Sequence, residues 1–171
     1  LGTTVVDSVW IEPISTDCKP SNNISTYNDT CVSSWDPNDK ATAQGRYIDT
    51  STYELDYHVR FQNTGTAPAH NVSIVDVIDP NLDLSTLKVN SSSHPMTYYL
   101  EDNRTLSFEF ANIMLPDSGT DYDASQGYVD YSIMRKPNLP LGTDIKNTAA
   151  IYFDYNEPVI TNTTINTLYL K

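Results

Sequence analysis

The amino-acid sequence predicts an all-β protein built as a sandwich of seven or more strands. Three observations support this. Asn, Ser and Thr supply 51 of the 171 residues and 12 more are Tyr, and these residue types suit turns and strands better than helices. Several segments alternate apolar and polar residues, with connectors containing Pro, Gly or Asn between them. No segment has a sustained helical period.

The first predicted strand covers residues 3–11, where Val5, Val9 and Ile11 share one face. A strand of this kind pairs either within its own chain or with a neighbouring copy, as donated strands do in fibres. Both alternatives stay open at this point. If the second contact were head-to-tail, association would not close and a filament would result.

A loop is predicted over residues 12–34, because this stretch has few apolar residues and contains both cysteines. We expect Cys18 and Cys31 to form a disulfide, since two cysteines allow one pairing and the segment reads as secreted. Two unrelated thiols are the alternative. Residues 1–35 are therefore interpreted as an appendage, a donor strand or linker, and 36–171 as the sandwich.

Within the sandwich, the strongest strand signal lies at residues 53–61, which are apolar at every odd position. The turn residues of 35–40 predict an interruption of regular structure before it. A turn at 63–66 and a strand at 72–78 follow, and Asp79-Pro80-Asn81 breaks the chain again. Further strands are predicted over residues 97–100, 106–110, 128–134, 147–153 and 159–170.

Six short motifs occur in order along the body of the chain: Trp35-Asp36-Pro37-Asn38-Asp39-Lys40, residues 59–67, Asp79-Pro80-Asn81-Leu82-Asp83, Ser93-His94-Pro95, residues 110–116 and residues 147–156. Together they resemble the immunoglobulin-like repeat domain of large Bacteroidota surface proteins, which often precedes a type IX secretion sorting domain. The resemblance covers residues 34–168. It implies an immunoglobulin-like β-sandwich, an extracellular location and a structural role without assigned catalytic residues.

Charge and hydropathy exclude two classes of partner. A formal charge of −12 and a pI near 4.3 leave no basic surface to neutralise phosphates, so we expect no nucleic acid. No apolar run approaches the ~20 residues of a membrane helix, so no membrane insertion is expected. The chain starts without Met or a signal peptide and is expected to be a processed or excised piece of a secreted protein.

Asp-rich turns are the candidate metal sites. Calcium takes about six to eight oxygen ligands, and edge loops of sandwiches supply them. The alternative is that Asp and Asn hydrogen-bond their own backbone at turns; the EF-hand spacing is absent. The group Asp76, Asp79 and Asp83 is one candidate, and the better candidate ligands are Asp36, Asn38, Asp39, Asp117, Asp121 and Asp123. Calcium is the one cofactor considered.

No catalytic motif is recognisable, so we predict that the protein is not an enzyme. Carbohydrate binding is the active alternative, because exposed aromatic rings stack on sugars; the candidate stacking residues are Tyr98, Tyr99, Tyr152 and Tyr155. Asn-x-Ser/Thr sequons make glycosylation candidates of Asn23, Asn28, Asn71, Asn90, Asn103 and Asn162. A Lys–Asn isopeptide crosslink between Lys40 and Asn162 is conceivable, although no motif supports that pair.

Taken together, the sequence predicts a non-catalytic structural module of a bacterial surface protein. It would serve as a stalk, an adhesin segment or a filament subunit that assembles through strand 3–11. Its partners would be neighbouring copies or domains of the same surface assembly, and glycans in the alternative.

Overall fold

The computed structural model describes residues 3–10, 24–31 and 37–170, with side chains described for Ser8 and for residues 37–170. The chain divides into two compact units, Leu1–Asp36 and Pro37–Lys171. Cys18, Asn23 and Asp36 lie outside the described residues, as do the side chains of Asn28 and Cys31. The disulfide therefore stays a prediction.

The first unit contains an antiparallel two-stranded sheet of β1 (Thr3–Trp10) and β2 (Ile24–Cys31). The N-terminal strand pairs within its own chain, which is the first of the two alternatives left open by the sequence. One prediction needs correction here. Part of the predicted loop at 12–34 is a strand, which the pattern missed because Ile-Ser-Thr-Tyr-Asn-Asp-Thr-Cys has no apolar alternation; hydrogen bonding to β1 defines it instead.

The second unit is all-β, which confirms the predicted fold class. Its twelve strands are β3 (Asp39–Thr42), β4 (Tyr47–Asp49), β5 (Glu54–Gln62), β6 (Val72–Val77), β7 (Leu82–Ser92), β8 (Thr97–Leu100), β9 (Thr105–Phe110), β10 (Gln126–Arg135), β11 (Asp144–Asn147), β12 (Ala149–Phe153), β13 (Val159–Ile160) and β14 (Thr164–Tyr169). None of the described residues 37–170 forms a helix. Among them there is accordingly no helix of the length and apolarity that crosses a bilayer.

These strands form three sheets: β3-β5-β10-β7, β11-β14-β4 and β13-β12-β6-β9-β8. All pairings are antiparallel except that of β14 with β4. The alternation predicted for 53–61 is observed in β5, where Leu55, Tyr57, Val59 and Phe61 are buried. Their partners in β6, β9, β10 and β12 close a single apolar core.

Several strands differ from the prediction. β3 begins inside the stretch predicted to interrupt regular structure, because Asp39 and its neighbours pair with β5, a contact distant in sequence. β7 was not predicted although it is eleven residues long; its register against β10 shifts twice, which breaks the alternation. The predicted strand 147–153 is two strands, β11 and β12, and 159–170 is likewise divided into β13 and β14.

Candidate functional site

A lysine and an aspartate meet in the interior of the sandwich. Lys40 lies on β3 and Asp76 on β6, in two different sheets, and both side chains are fully buried. Lys40 Nζ forms an ion pair with Asp76 Oδ2. Charged side chains are almost never fully buried unless they are paired, because removing an ion from water costs on the order of several kcal/mol. Such a pair needs an explanation beyond core packing.

The strand pattern explains why these side chains point inward. In β6 the buried face carries Val72, Ile74 and Asp76, two residues apart, so the carboxylate occupies the position of an apolar side chain. In β3 the alternation buries Lys40, while Asp39 on the other face remains partly exposed. The first of these placements is visible in the sequence as an Asp that continues an apolar alternation.

The hydroxyl of Tyr131 bonds to three other buried polar side chains, those of Lys40, Asp76 and Asn147; these four residues, together with Tyr57, are called the centre. It donates to Asp76 Oδ2 at 2.6 Å and accepts from Lys40 Nζ at 2.9 Å. It also accepts from Asn147 Nδ2 at 2.9 Å. One donated and two accepted bonds satisfy a phenolic oxygen completely. The amine, the carboxylate and the carboxamide are therefore gathered around one atom.

Two tyrosine rings form the wall of the centre. Tyr57 of β5 and Tyr131 of β10 are directly opposite in register, and their rings stack with centroids 5.1 Å apart. Lys40 Nζ lies 4.9 Å from the Tyr57 centroid and 5.3 Å from that of Tyr131. Both rings thus favour a cation at Nζ and cover it from water.

Three oxygens of the centre have no hydrogen-bond partner. Asp76 Oδ1 and Asn147 Oδ1 are both buried and unpaired, and the hydroxyl of Tyr57 is a third such atom. An unpaired buried polar atom costs about 1–3 kcal/mol. Three of them in one cluster of five polar residues mark a site whose polar groups are not arranged for stability alone.

Burial controls ionisation in the centre. Desolvation lowers the pKa of Lys40, and the nearby Asp76 offsets only part of that effect. Desolvation raises the pKa of Tyr131 and of Tyr57, and the negative charge of Asp76 adds to both shifts. Both phenols therefore stay protonated, while the lysine is closer to a neutral amine than in water.

Asn162, the crosslink partner considered from the sequence, plays a different part. Its Oδ1 accepts from the main-chain N–H of Lys40 at 3.0 Å, and its Nδ2 donates to the main-chain carbonyl of Lys40 at 2.8 Å. These bonds fix the main chain of β3, which positions the lysine. The carboxamide gathered with Nζ around the Tyr131 hydroxyl is that of Asn147, which sequence reasoning did not single out.

The predicted metal ligands near β3 already have partners. Asn38 Oδ1 accepts from the main-chain N–H of Gln62 at 3.0 Å. Asp39 receives two bonds from the guanidinium of Arg60, at 2.7 and 2.6 Å. The hydrogen bond to Asp39 raises the pKa of Arg60, and burial offsets only part of that effect. The Asp39 oxygens thus belong to an ion pair with Arg60, and the Asn38 oxygen to a hydrogen bond at the end of β5.

The predicted ligands at 117–123 likewise bond their own loop. Asp117 accepts from the N–H groups of Gly119 and Thr120 and from the Thr120 hydroxyl. Asp121 Oδ1 accepts from an N–H three residues on, and Asp123 is exposed. Within residues 37–170, no group of three or more His, Cys, Asp or Glu side chains has metal-binding geometry. Calcium binding stays a prediction without geometric support.

The candidate stacking tyrosines do not form one row. Tyr98 and Tyr99 are both exposed on β8, but adjacent strand residues face opposite sides of a sheet. Tyr155 is fully exposed in the turn after β12, and Tyr152 is half-buried within that strand. Of the glycosylation candidates with described side chains, all are exposed: Asn71, Asn90, Asn103 and Asn162.

The surface also carries a His–Asp–Ser group. His58 Nδ1 contacts Asp130 Oδ1, and Ser91 Oγ donates to Asp130 Oδ2 at 2.6 Å. In a nucleophilic triad the serine bonds to the imidazole, and the aspartate orients the imidazole from its other side. Here the carboxylate separates serine from histidine, so the group does not activate a nucleophile.

Comparisons with known proteins agree with the fold. A family model described as Domain of unknown function (DUF7619) matches residues 36–167. Similar solved structures include the N-terminal domain of the Streptococcus gordonii adhesin Sgo0707 (16% identity, TM-score 0.56, 85% of this chain and 35% of that one). The major pilin subunit BcpA of Bacillus cereus is also similar (15% identity, TM-score 0.55, 76% and 39%), as is the C-terminal domain of the Streptococcus agalactiae polypeptide BspA (17% identity, TM-score 0.55, 78% and 50%).

At these identities the likeness shows the fold, and the chain spans only between about a third and a half of those structures. No curated protein matches the sequence significantly. The family model, by contrast, covers most of the chain and the whole sandwich except the end of β14 beyond residue 167. The chain therefore belongs to the family described as Domain of unknown function (DUF7619), with the β-sandwich fold found in bacterial adhesin and pilin domains.

Proposed function

We propose that the chain is a non-catalytic structural module of a bacterial surface protein, acting as a stalk or adhesin segment. The observation that carries this proposal is the closure of its polar centre. Lys40, Asp76 and Tyr131 are each at most 1% exposed. A solute cannot reach groups that are sealed in a core, so the chemistry they hold serves the fold and not a dissolved substrate.

The likeness to adhesin and pilin domains supports this role, because those domains are parts of surface proteins. We extend the proposal to a Bacteroidota surface protein exported by type IX secretion, on the motif resemblance alone. The partners would be neighbouring domains of the same assembly. Pairing of β1 with β2 in one chain favours such a segment over a filament built by exchange of strand 3–11.

Surface labelling of intact cells tests the location. An epitope inserted in the exposed turn at 140–142 of the parent protein should bind antibody without permeabilisation. Labelling that requires lysed cells would refute a surface role. An insertion in the exposed turn after β12, at Tyr155, serves as an independent second site.

Sedimentation velocity of the purified chain tests assembly. A segment should sediment as a monomer across concentrations, whereas a filament subunit should form an open series of oligomers. Carbohydrate binding remains the second candidate, and the exposed Tyr98 and Tyr99 are its specific support. Glycan binding that is lost in a Tyr99→Ala variant would favour that candidate over a passive stalk.

A further inference from the structure

The buried centre contains every group that an amide-forming reaction requires. It has an amine (Lys40), a carboxamide (Asn147) and a carboxylic acid (Asp76), and the Tyr131 hydroxyl touches all three. We propose that Lys40 and Asn147 join in an intramolecular isopeptide bond, with Asp76 carrying the protons and one ammonia released. This inference rests on the geometry of the centre and is independent of the proposed function.

The reacting atoms are close. Nζ of Lys40 and Nδ2 of Asn147 each lie 2.9 Å from the Tyr131 oxygen, so they are no more than twice 2.9 Å apart. Cγ of Asn147 is bonded to Nδ2. Side-chain rotation of Lys40 or Asn147 therefore has only a gap of about this size to close between Nζ and Cγ, and holding the two groups so near replaces a bimolecular encounter with a positioned one.

The reaction balances with these groups alone. The proton shared between Nζ and Oδ2 passes to Asp76, which leaves a neutral amine. The Nζ lone pair attacks Cγ of Asn147, and the new C–N bond places charge on Oδ1. The Asp76 proton neutralises that charge, and the carboxylate then takes a proton from Nζ. The Cγ–Nδ2 bond breaks as Nδ2 receives that proton from Asp76, and ammonia leaves. Oδ1 then returns its proton to the Asp76 carboxylate, so that the primary amide has become a secondary amide and Asp76 is left protonated.

The surroundings favour each step. Desolvation lowers the pKa of Lys40, which makes the nucleophilic neutral amine more accessible. The unpaired Asn147 Oδ1 needs a donor where charge develops. The Tyr57 hydroxyl, protonated, without a hydrogen bond and beside the Asn147 side chain, is one such donor, and a protonated Asp76 is another.

Other asparagines fit less well. Asn162 is exposed, and both ends of its carboxamide bond to the main chain of Lys40. Asn166 is fully buried, but its Nδ2 donates to the carbonyl of Gly45. It shares with Asn147 the unpaired Oδ1 and lacks the contact with Tyr131, which makes it the matched control.

Intact-mass spectrometry of the purified 171-residue chain, with any Cys18–Cys31 disulfide reduced beforehand, tests the proposal. The expected mass is that of the sequence minus one ammonia. Digestion with a protease that cleaves before Asp should yield residues 39–48 joined to residues 144–153. Lys40 is the only lysine in residues 39–48, and Asn147 is the only asparagine in residues 144–153. Fragment ions of the joined peptides therefore assign the link directly.

Variants assign the roles. Lys40→Arg, Asp76→Asn and Asn147→Ala should each restore the full mass, and Asn166→Ala should keep the deficit. Circular dichroism shows whether each variant folds; the wild-type mass and peptide map are decisive even if one does not. A folded wild-type chain of full mass overturns the proposal. So does a deficit of one water, which would mean a Lys40–Asp76 amide, or a link that maps to another asparagine.

Discussion

A crosslink between β3 and β11 changes what the sandwich does under tension. Force applied at the ends of the sandwich enters near residue 37 and leaves near residue 170. With Lys40 bonded to Asn147, the load passes through that bond, and the 106 residues from 41 to 146 are bypassed. Without the bond the same residues extend once the domain unfolds.

The magnitude follows from chain length. An extended residue spans about 3.3–3.6 Å, so 106 residues hidden behind the bond amount to roughly 350–380 Å of missing extension. The bond also constrains the unfolded chain. By loop-closure entropy, a closed loop of about 100 residues contributes about 4–5 kcal/mol to the free energy of unfolding.

Single-molecule pulling of tandem domains measures the first quantity. The Asn147→Ala variant should lengthen on unfolding by roughly 350–380 Å more than the wild type. The matched Asn166→Ala variant should lengthen as little as the wild type, although it also loses a buried carboxamide. Equal extensions for wild type and Asn147→Ala would refute the load path, whatever the unfolding forces.

Three further predictions concern the fold around the centre. Gly127→Ala should lower the free energy of unfolding by about 1–3 kcal/mol in thermal melts, because its Cβ would overlap the ring of Phe61; additional Phe61→Leu should recover part of it. Asn63→Ala should lower the free energy of unfolding in urea by about 2–3 kcal/mol, because the Asn63 side chain makes three hydrogen bonds: it donates to the carbonyls of Ala67 and Leu115 and accepts from the N–H of Gly65. The Thr120 hydroxyl, with nearby N–H groups, lowers the pKa of Asp117. This carboxylate should therefore stabilise the fold at pH values above its unfolded pKa, and that stability should be lost as the pH falls through its folded pKa. In an Asp117→Asn variant the free energy of unfolding should fall less steeply with acidification, and an unchanged pH dependence would contradict the prediction.

The strands were predictable where one face is buried and the other wet. β5 alternates without a fault from Leu55 to Phe61, so its period of two is visible in the sequence. β7 was not predictable, because its partly buried side chains, Leu84, Leu87 and Val89, are not evenly spaced. Thr86 lies between them and accepts from the main-chain N–H of Met134, at the point where the register shifts.

The site was less predictable than the fold. Lys40 follows Asp-Pro-Asn-Asp, which indicates a turn, and its burial depends on pairing with β5 and on Asn162, 122 residues away. Asp76 continues the apolar face of β6, a signal that alternation reveals, but we interpreted this residue as part of a candidate calcium-binding turn with Asp79 and Asp83. Asn147 has no local signal at all, since its role arises only where β11 meets the Tyr131 hydroxyl.

The energetics of the centre give a reason for the bond. A buried ion pair is weak evidence for stability, because apolar side chains of similar volume often do as well or better. Lys40 and Asp76 are both fully buried, and oxygens of Asp76 and Asn147 are left unpaired. The secondary amide and a protonated Asp76 are neutral, so amide formation removes the buried charges and leaves the acid a proton to donate. Folding thus brings together groups whose burial is unfavourable, and the reaction relieves that cost by converting them to a neutral, covalent support of the sandwich.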